Sequence, residues 1–285
     1  MNIEIICVGN ELLAGITHNT NAQWLCKKIT DLGATVNRVT VVADRLQEIS
    51  LIVREALQRK PAMIIMTGGL GATYDDLTLQ GVALSLRRKL VLDPAAVEML
   101  KKSYSRRLLQ SRLDKTRLKM ARIPEGSTPI QNPVGSAPAV SIEVAAKSKL
   151  GKKTASAPST TIFCLPGVPS EMQAIFQENI APRIKKKVGS FFFNEVIYEV
   201  AGITESMLAS ALLDTVRSNS KKAIYIKTHP AGFRGPTPRI RVQIVSKGKY
   251  KEKVQRRLDL VSKNILNEIK RLGGKIIVAR QTEQD

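Results

Sequence analysis

Aromatic residues make up only 4% of the 285 residues, and histidine occurs twice, at His18 and His229. Two histidines are too few for a histidine-rich metal centre. Neither accompanies a cysteine or serine in an arrangement that suggests a nucleophilic triad. The three cysteines, Cys7, Cys26 and Cys164, show no metal or disulfide spacing and fall within strand-like or helix-like segments, the pattern of a reduced cytoplasmic protein. No apolar run reaches the ~20 residues that a membrane span requires. Met1-Asn-Ile-Glu-Ile-Ile enters a strand at once and lacks the basic, apolar, small-residue layout of a secretion signal. The stretch Gly9-Asn-Glu-Leu-Leu-Ala-Gly15 lacks the lysine of a Walker A loop and is no dinucleotide fingerprint.

Acidic residues are scarce in one part of the chain only. The net charge is +21, yet residues 1–100 carry 10 basic and 10 acidic side chains, so the excess comes from residues 101–285, with 35 against 14. Such asymmetry can attract nucleic acid or polyanionic small molecules. Arg106-Arg107, Lys152-Lys153, Lys185-Lys186-Lys187 and Arg256-Arg257 are scattered and not interleaved with aromatics that could stack on bases. Solvated basic helix faces are the plainer reading, with nucleic-acid contact left open. Gly232-Phe-Arg-Gly235 matches the GXXG of RNA-binding KH modules, but it joins two expected strands and not two helices.

What the chain does have is an alternation of strand and helix. Strands are expected at 2–8, 35–43 and 62–66, with helices from Asn19 to Gly33 and over 46–59 between them. That βαβαβ order specifies a mostly parallel sheet covered by helices on both faces. A further helix is expected after Asp76, a basic helical stretch over 94–120, strands at 139–144 and 160–165 flanking a polar loop at 146–159, and a helix from Ser170 to Lys187. Beyond Gly189 the pattern becomes a compact α+β unit: strand 195–200, helix 204–218, strands 223–228 and 239–245, helix 250–271 and strand 275–279. The expected domains are 1–188 and 189–285.

The sequence that carries chemistry is Thr67-Gly-Gly-Leu-Gly-Ala-Thr-Tyr-Asp-Asp-Leu-Thr78. A glycine-rich turn between a buried strand and a helix exposes N–H groups to an anion. Thr67, Thr73 and Thr78 add hydroxyls, and Asp75-Asp76 would repel a phosphate unless a cation lies between. The other unusual segments also follow strands, where ligands bind in open α/β sheets. They are Gly9-Asn10-Glu11 with Gly15, Asn19 and Asn21, Asp44, and Leu165-Pro-Gly167-Val-Pro169-Ser-Glu171-Met172. Each has a plainer structural reading. Gly68, Gly69 and Gly71 could serve a tight turn, and Asp76 a helix cap. Asp44 could cap a loop, Glu11 could bond locally, and Asn132-Pro-Val-Gly135-Ser136-Ala-Pro138 could be a rigid loop. Pro166, Gly167 and Pro169 could be shape alone, with Ser170 as the cap of the next helix.

Taken in order, Gly9–Leu13, Thr67–Thr78, Asn132–Pro138 and Leu165–Met172 resemble the amino-terminal region of CinA, the competence/damage-inducible proteins, within the wider MoaB/MogA-like molybdopterin-binding family. The resemblance covers about residues 1–185, and residues 190–285 look like the small KH-type α+β domain that follows in CinA proteins. It implies a three-layer α/β/α domain that binds molybdopterin or, in CinA-like members, adenine dinucleotides. For those members it implies a metal-dependent pyrophosphatase splitting ADP-ribose to AMP and ribose 5-phosphate. By motif, Asp76 corresponds to the acidic residue used for metal and catalysis, with Asp44 after the second strand and Asp75 accompanying it. The family's Gly-Thr-Ala-Pro-Gly reads Gly135-Ser-Ala-Pro-Ala139 here, and no nicotinamide-nucleotide deamidase segment follows, so deamidase activity is not expected.

The expected function is therefore a cytoplasmic hydrolase of a nucleotide diphosphate bond, acting on a small-molecule nucleotide as a homo-oligomer with Mg²⁺ or Co²⁺ and possible K⁺ dependence. The glycine turn and Gly135-Ser136 would hold the pyrophosphate; Asp76, helped by Asp75 and Asp44, would hold the metal, which neutralises phosphate charge and activates water. Gly9, Asn10, Glu11, Asn21, Asn132, Pro138, Gly167, Pro169 and Glu171 would complete the ligand contacts. The alternatives are molybdopterin binding or adenylation at the same turn, and nucleic-acid binding through the basic second half.

Overall fold

A computed structural model describes residues 1–106, 113–145, 159–219, 224–234 and 237–284. The chain divides into two compact units, Met1–Lys187 and Val188–Asp285.

In the first unit, strand β1 (Asn2–Val8) is buried from Ile3 onward, as an inner strand covered on both faces must be. A single turn, α1 (Asn10–Leu13), follows it. Helix α2 (Thr20–Asp31) starts where the Asn19 side chain accepts the Ala22 N–H at 3.1 Å. Strand β2 (Thr35–Val42), helix α3 (Leu46–Gln58), strand β3 (Met63–Thr67) and helix α4 (Thr78–Leu86) complete the βαβαβα order. Next come β4 (Leu90–Leu92), α5 (Pro94–Arg106), α6 (Lys115–Leu118), β5 (Arg122–Pro124), β6 (Thr128–Ile130), β7 (Ala139–Val144) and β8 (Thr160–Leu165). The main sheet has the order β2-β1-β3-β8-β7-β6; the first four strands run parallel, and β7 and β6 are each antiparallel to the strand before. One face packs Ile6, Ile64, Met66 and Ile162 against Ile49, Val53, Val82 and Leu100 of α3, α4 and α5. On the α2 side, Trp24 meets Phe176 edge-on at 5.3 Å. Glu4, only 4% exposed on β1, is held by a two-pronged ion pair with Arg59, both N–O distances being 2.8 Å.

The helix expected over 170–187 forms as α7 (Pro169–Ile175) and α8 (Ala181–Val188), joined by a π-helical turn at Phe176–Ile180. Pro182 explains the interruption: it lacks an N–H, and its ring crowds the carbonyl one turn back. Two corrections concern the connecting region. The basic stretch 94–120 is not one helix, since α5 and α6 are separate elements with residues 107–112 outside the described set. Strands β4, β5 and β6 were not anticipated, being three residues each and too short to show a period. The helix expected after Asp76 is present as α4, beginning at Thr78 with Leu77 as its cap. Most of the polar loop at 146–159, with Lys152-Lys153, and Arg107 lie outside the described residues.

The second unit orders β9 (Phe192–Ala201), α9 (Glu205–Asn219), β10 (Ile224–Arg234), β11 (Thr237–Gly248), α10 (Lys251–Arg271) and β12 (Lys275–Gln284). Its sheet, β10-β11-β9-β12, is antiparallel throughout. Alternate residues of β9 and β11, Val196, Tyr198, Val200, Ile240, Val242 and Ile244, pack against Val261, Ile265 and Ile269 of α10. Gly232, Phe233 and Arg234 belong to β10, and Gly235 lies outside the described residues, so this GXXG stretch does not link two helices. Among the described residues, no helix is long and apolar enough to cross a membrane.

Candidate functional site

The glycine turn is tied to three strand ends. Gly68 has φ +96°, and a Cβ there would lie 2.2 Å from the carbonyl oxygen of Val8, so both conformation and close packing require glycine. Its N–H donates to Leu165 O at 3.1 Å, joining β3 to β8. Gly69 has φ +65°, and a Cβ there would strike the Thr78 hydroxyl at 2.4 Å. That hydroxyl donates to Gly68 O at 2.7 Å, and the Thr78 N–H donates to Gly69 O at 3.2 Å, so the start of α4 is strapped back onto the turn. Thr67 and Thr78 are buried. Between these anchors, the N–H groups of Gly69, Leu70, Gly71 and Ala72 have no hydrogen-bond partner among the described residues.

The acidic pair folds over this turn. Asp76 Oδ2 accepts the Thr73 N–H at 2.8 Å and contacts the Thr73 hydroxyl at 2.6 Å. That hydroxyl also faces Asp75 Oδ1, so its one hydrogen is shared between two carboxylates. A Cβ on Gly71 would meet Asp76 Oδ2 at 2.6 Å, which places the carboxylate directly against the turn. Asp76 therefore braces the turn behind it and does not cap α4. The Thr73 hydroxyl, the Asp75 N–H and the charge of Lys119 hold the Asp75 carboxyl below its ordinary range. The Lys119 ammonium donates to the carbonyl of Thr73.

A second group ties β1 to β2. The Asn10 N–H donates to Asp44 Oδ2 at 2.7 Å, and the Asp44 N–H returns to Asn10 Oδ1 at 3.3 Å. Burial raises the Asp44 carboxyl above its ordinary value; the Asn10 N–H opposes this, and the negative charges of Glu11, Asp75 and Asp76 add to it. The Glu11 carboxylate folds back over Gly9, where a Cβ would lie 2.4 Å from Glu11 Oε1, and the Gly9 N–H donates to Val42 O at 3.1 Å.

A third group stands at the end of β6. Asn132, 1% exposed, accepts the N–H groups of Val134 (3.1 Å) and Gly135 (2.6 Å) and donates to Ala137 O and Glu171 Oε2. Glu171 in turn seats on Gly135, where a Cβ would lie 2.0 Å from its carboxyl carbon. Ser136 is half-buried in this loop, Pro138 is buried, and Ala139 is a buried residue of β7. Asn21 Nδ2 donates to Gly167 O at 2.7 Å, and a Cβ on Gly167 would touch the Gly68 Cα at 3.3 Å. Pro169 opens α7, whose cap is Val168 and not Ser170.

The glycine turn, Gly167, Asn21 and the Asn10–Asp44 pair thus meet at the carboxyl ends of β1, β2, β3 and β8, and Asp44 feels the charges of Glu11, Asp75 and Asp76. The Asn132–Glu171 cluster is joined to the glycine turn through the chain from Leu165 to Glu171. Among the described residues, no three His, Cys, Asp or Glu side chains stand close enough to hold a metal ion by themselves. The sequence reading missed one wall. A shallow open cleft beside the turn is lined by Gly69, Gly71 and Asp76 together with Leu90, Lys119, Met120 and Arg122. Nothing local in Arg117-Leu-Lys-Met-Ala-Arg122 marks it; only the chain path through β4 and β5 brings it there. Exposed apolar side chains occur along the same loops: Leu13, Ile16, Tyr74, Val134 and Val168.

The profile of the family described as "Probable molybdopterin binding domain" matches residues 4–186. A protein of Aeropyrum pernix is 39% identical over 272 residues, and one of Metallosphaera sedula 36% identical over 271; each match covers 95% of both chains. Both alignments therefore span most of the second unit as well as the first. Among solved structures, that of "the protein CinA with unknown function from Thermoplasma acidophilum" is 38% identical with a TM-score of 0.53, covering 66% of this chain and 99% of that one. With the parallel order β2-β1-β3-β8 and the glycine turn at its carboxyl edge, these matches settle the family: the chain belongs to the MoaB/MogA-like molybdopterin-binding domain family and carries a CinA-like amino-terminal unit.

Proposed function

We propose that the protein is a metal-dependent nucleotide pyrophosphatase that cleaves ADP-ribose, or a related dinucleotide, to AMP and a sugar phosphate. The observation that carries this reading is the run of four unpartnered N–H groups, Gly69–Ala72, lying against the Asp76 carboxylate. Amides in that arrangement hold phosphate oxygens without needing a lysine. The carboxylates would push the same phosphate away unless a cation joined them.

The donor set fits a hard divalent ion. Asp76 and Asp44 offer carboxylate oxygens, and the acidic neighbours of Asp44 leave negative charge for a cation to offset. Two carboxylates suffice for Mg²⁺ only when substrate phosphates supply further ligands, so metal and nucleotide would be taken up together. When bound, such an ion supplies charge neutralisation and activation of water. The chain's own residues do the rest. Gly69–Ala72 orient the diphosphate, Thr73 fixes the Asp75 and Asp76 carboxylates, and the Asn10 N–H holds Asp44 in place. The exposed ring of Tyr74 and the side chain of Val168 offer apolar surface to a flat heterocycle. The test is incubation of purified protein with ADP-ribose and Mg²⁺ or Co²⁺, with and without K⁺, following AMP by chromatography. Formation of AMP that stops with EDTA supports the reading; no turnover under any of these conditions removes it.

The family match over residues 4–186 favours a second reading, molybdopterin binding or adenylation at the same turn. Pterin fluorescence retained through purification, without dinucleotide hydrolysis, would select it.

A further inference from the structure

Lys119, whose charge also acts on the Asp75 carboxylate, and Arg122 are used neither by the core nor by the carboxylates proposed to hold the metal. Lys119 is positioned by its neighbours: Met120 and Ala121, 6% and 0% exposed, are anchored in the core cluster, and β5 pairs with β4 immediately after. Its half-buried ammonium group lies in the cleft and donates to Thr73 O. An ammonium has three donors, so two remain for another acceptor. Arg122 is exposed on the same wall, and its guanidinium has no hydrogen-bond or ion-pair partner among the described residues. Leu79, Leu90 and Met120 line the remainder of the cleft and keep it apolar, which strengthens charge interactions inside it.

Resting on the reading of the turn as a diphosphate site, we propose that Lys119 and Arg122 form its cationic wall, clamping the diphosphate against the amides of Gly69–Ala72. This arrangement also explains how a turn bearing two carboxylates holds an anion before a metal is in place: one tethered and one exposed cation line the same cleft. Lys119 is a binding residue in this scheme and takes no proton in the reaction.

The test is calorimetric titration of inorganic pyrophosphate into metal-free protein at low salt. Wild type binds. Lys119→Met weakens binding about tenfold or more, Lys119→Arg restores most of it, and Arg122→Gln weakens it several-fold, with affinity falling as salt rises. Folding of each variant is verified by its melting curve, and the exposed Arg122 provides a variant that leaves the core intact. Unchanged affinity in both Lys119→Met and Arg122→Gln, or no binding by wild type, overturns the assignment. Pyrophosphate binding with the predicted losses but no hydrolysis of ADP-ribose keeps the clamp and removes the hydrolase.

Discussion

Two glycines of the site meet an added methyl group in different ways, and that difference can be measured. At Gly68 a Cβ would lie 2.2 Å from Val8 O, a backbone atom of a buried strand paired on both sides, and φ is +96°. Nothing flexible can yield there. Overpacking of about 1–3 kcal/mol and left-handed strain of about 1–2 kcal/mol combine to roughly 2–5 kcal/mol for Gly68→Ala. For a domain of this size that lowers Tm by about 4–20 °C. At Gly135 the Cβ would lie 2.0 Å from the Glu171 carboxyl carbon, the far end of a side chain that can swing away. What is lost is the Asn132–Glu171 hydrogen bond of 2.7 Å, so Gly135→Ala should cost about 1–3 kcal/mol. In a Glu171→Ala background the clash is gone, and adding Gly135→Ala should cost little, a coupling of about 1–2 kcal/mol. Circular-dichroism melts and urea titrations of the five proteins, wild type included, measure both effects. A Gly68→Ala protein melting within about 2 °C of wild type would refute the packing argument, since that shift is under 1 kcal/mol. Equal effects of Gly135→Ala with and without Glu171 would refute the steric pairing.

Asp44→Asn should abolish metal-stimulated turnover while raising Tm at pH 7. A carboxyl whose folded-state pKa is raised holds its proton more tightly when folded, so its ionised form subtracts stability at neutral pH and stops doing so as pH falls below the ordinary carboxylate range. The Tm difference between Asp44→Asn and wild type should therefore close on acidification, which melts across pH 3–7 would follow. Arg59→Met leaves the buried Glu4 charge unpaired and should cost about 3 kcal/mol, recovered in large part by Glu4→Gln in the same chain, as denaturant titration would show. Cys164, fully buried with its thiol pushed up to about 12, should resist a thiol-specific disulfide reagent at pH 8 until the protein is unfolded in urea.

Much of the fold was legible because its signals are local. The buried runs Ile3–Val8, Met63–Thr67 and Thr161–Leu165 announce inner strands, and Asn19 announces the start of α2 through a cap that the structure contains. The glycine turn was legible for the same reason, since three glycines after an apolar strand leave few alternatives. What was not legible depends on long-range placement. The three-residue strands β4, β5 and β6 have too few residues for a period, and they carry Lys119 and Arg122 to the turn. Asp76 sits where a helix cap belongs, yet it faces backward onto Thr73 because α4 starts two residues later. Glu171 was one residue of a Pro-Gly-Val-Pro-Ser-Glu motif; its seat on Gly135 depends on Asn132, 39 positions away in sequence.

The chemistry proposed for the glycine turn depends most directly on Asp76. With saturating Mg²⁺, the wild-type protein should convert ADP-ribose to AMP and ribose 5-phosphate in equal amounts. Asp76→Asn, folded and still binding metal-free pyrophosphate, should lose about two to three orders of magnitude in kcat, the scale seen when a charge-stabilising group is removed from an active site. Turnover by Asp76→Asn at the wild-type rate would contradict the assignment of chemistry to this turn.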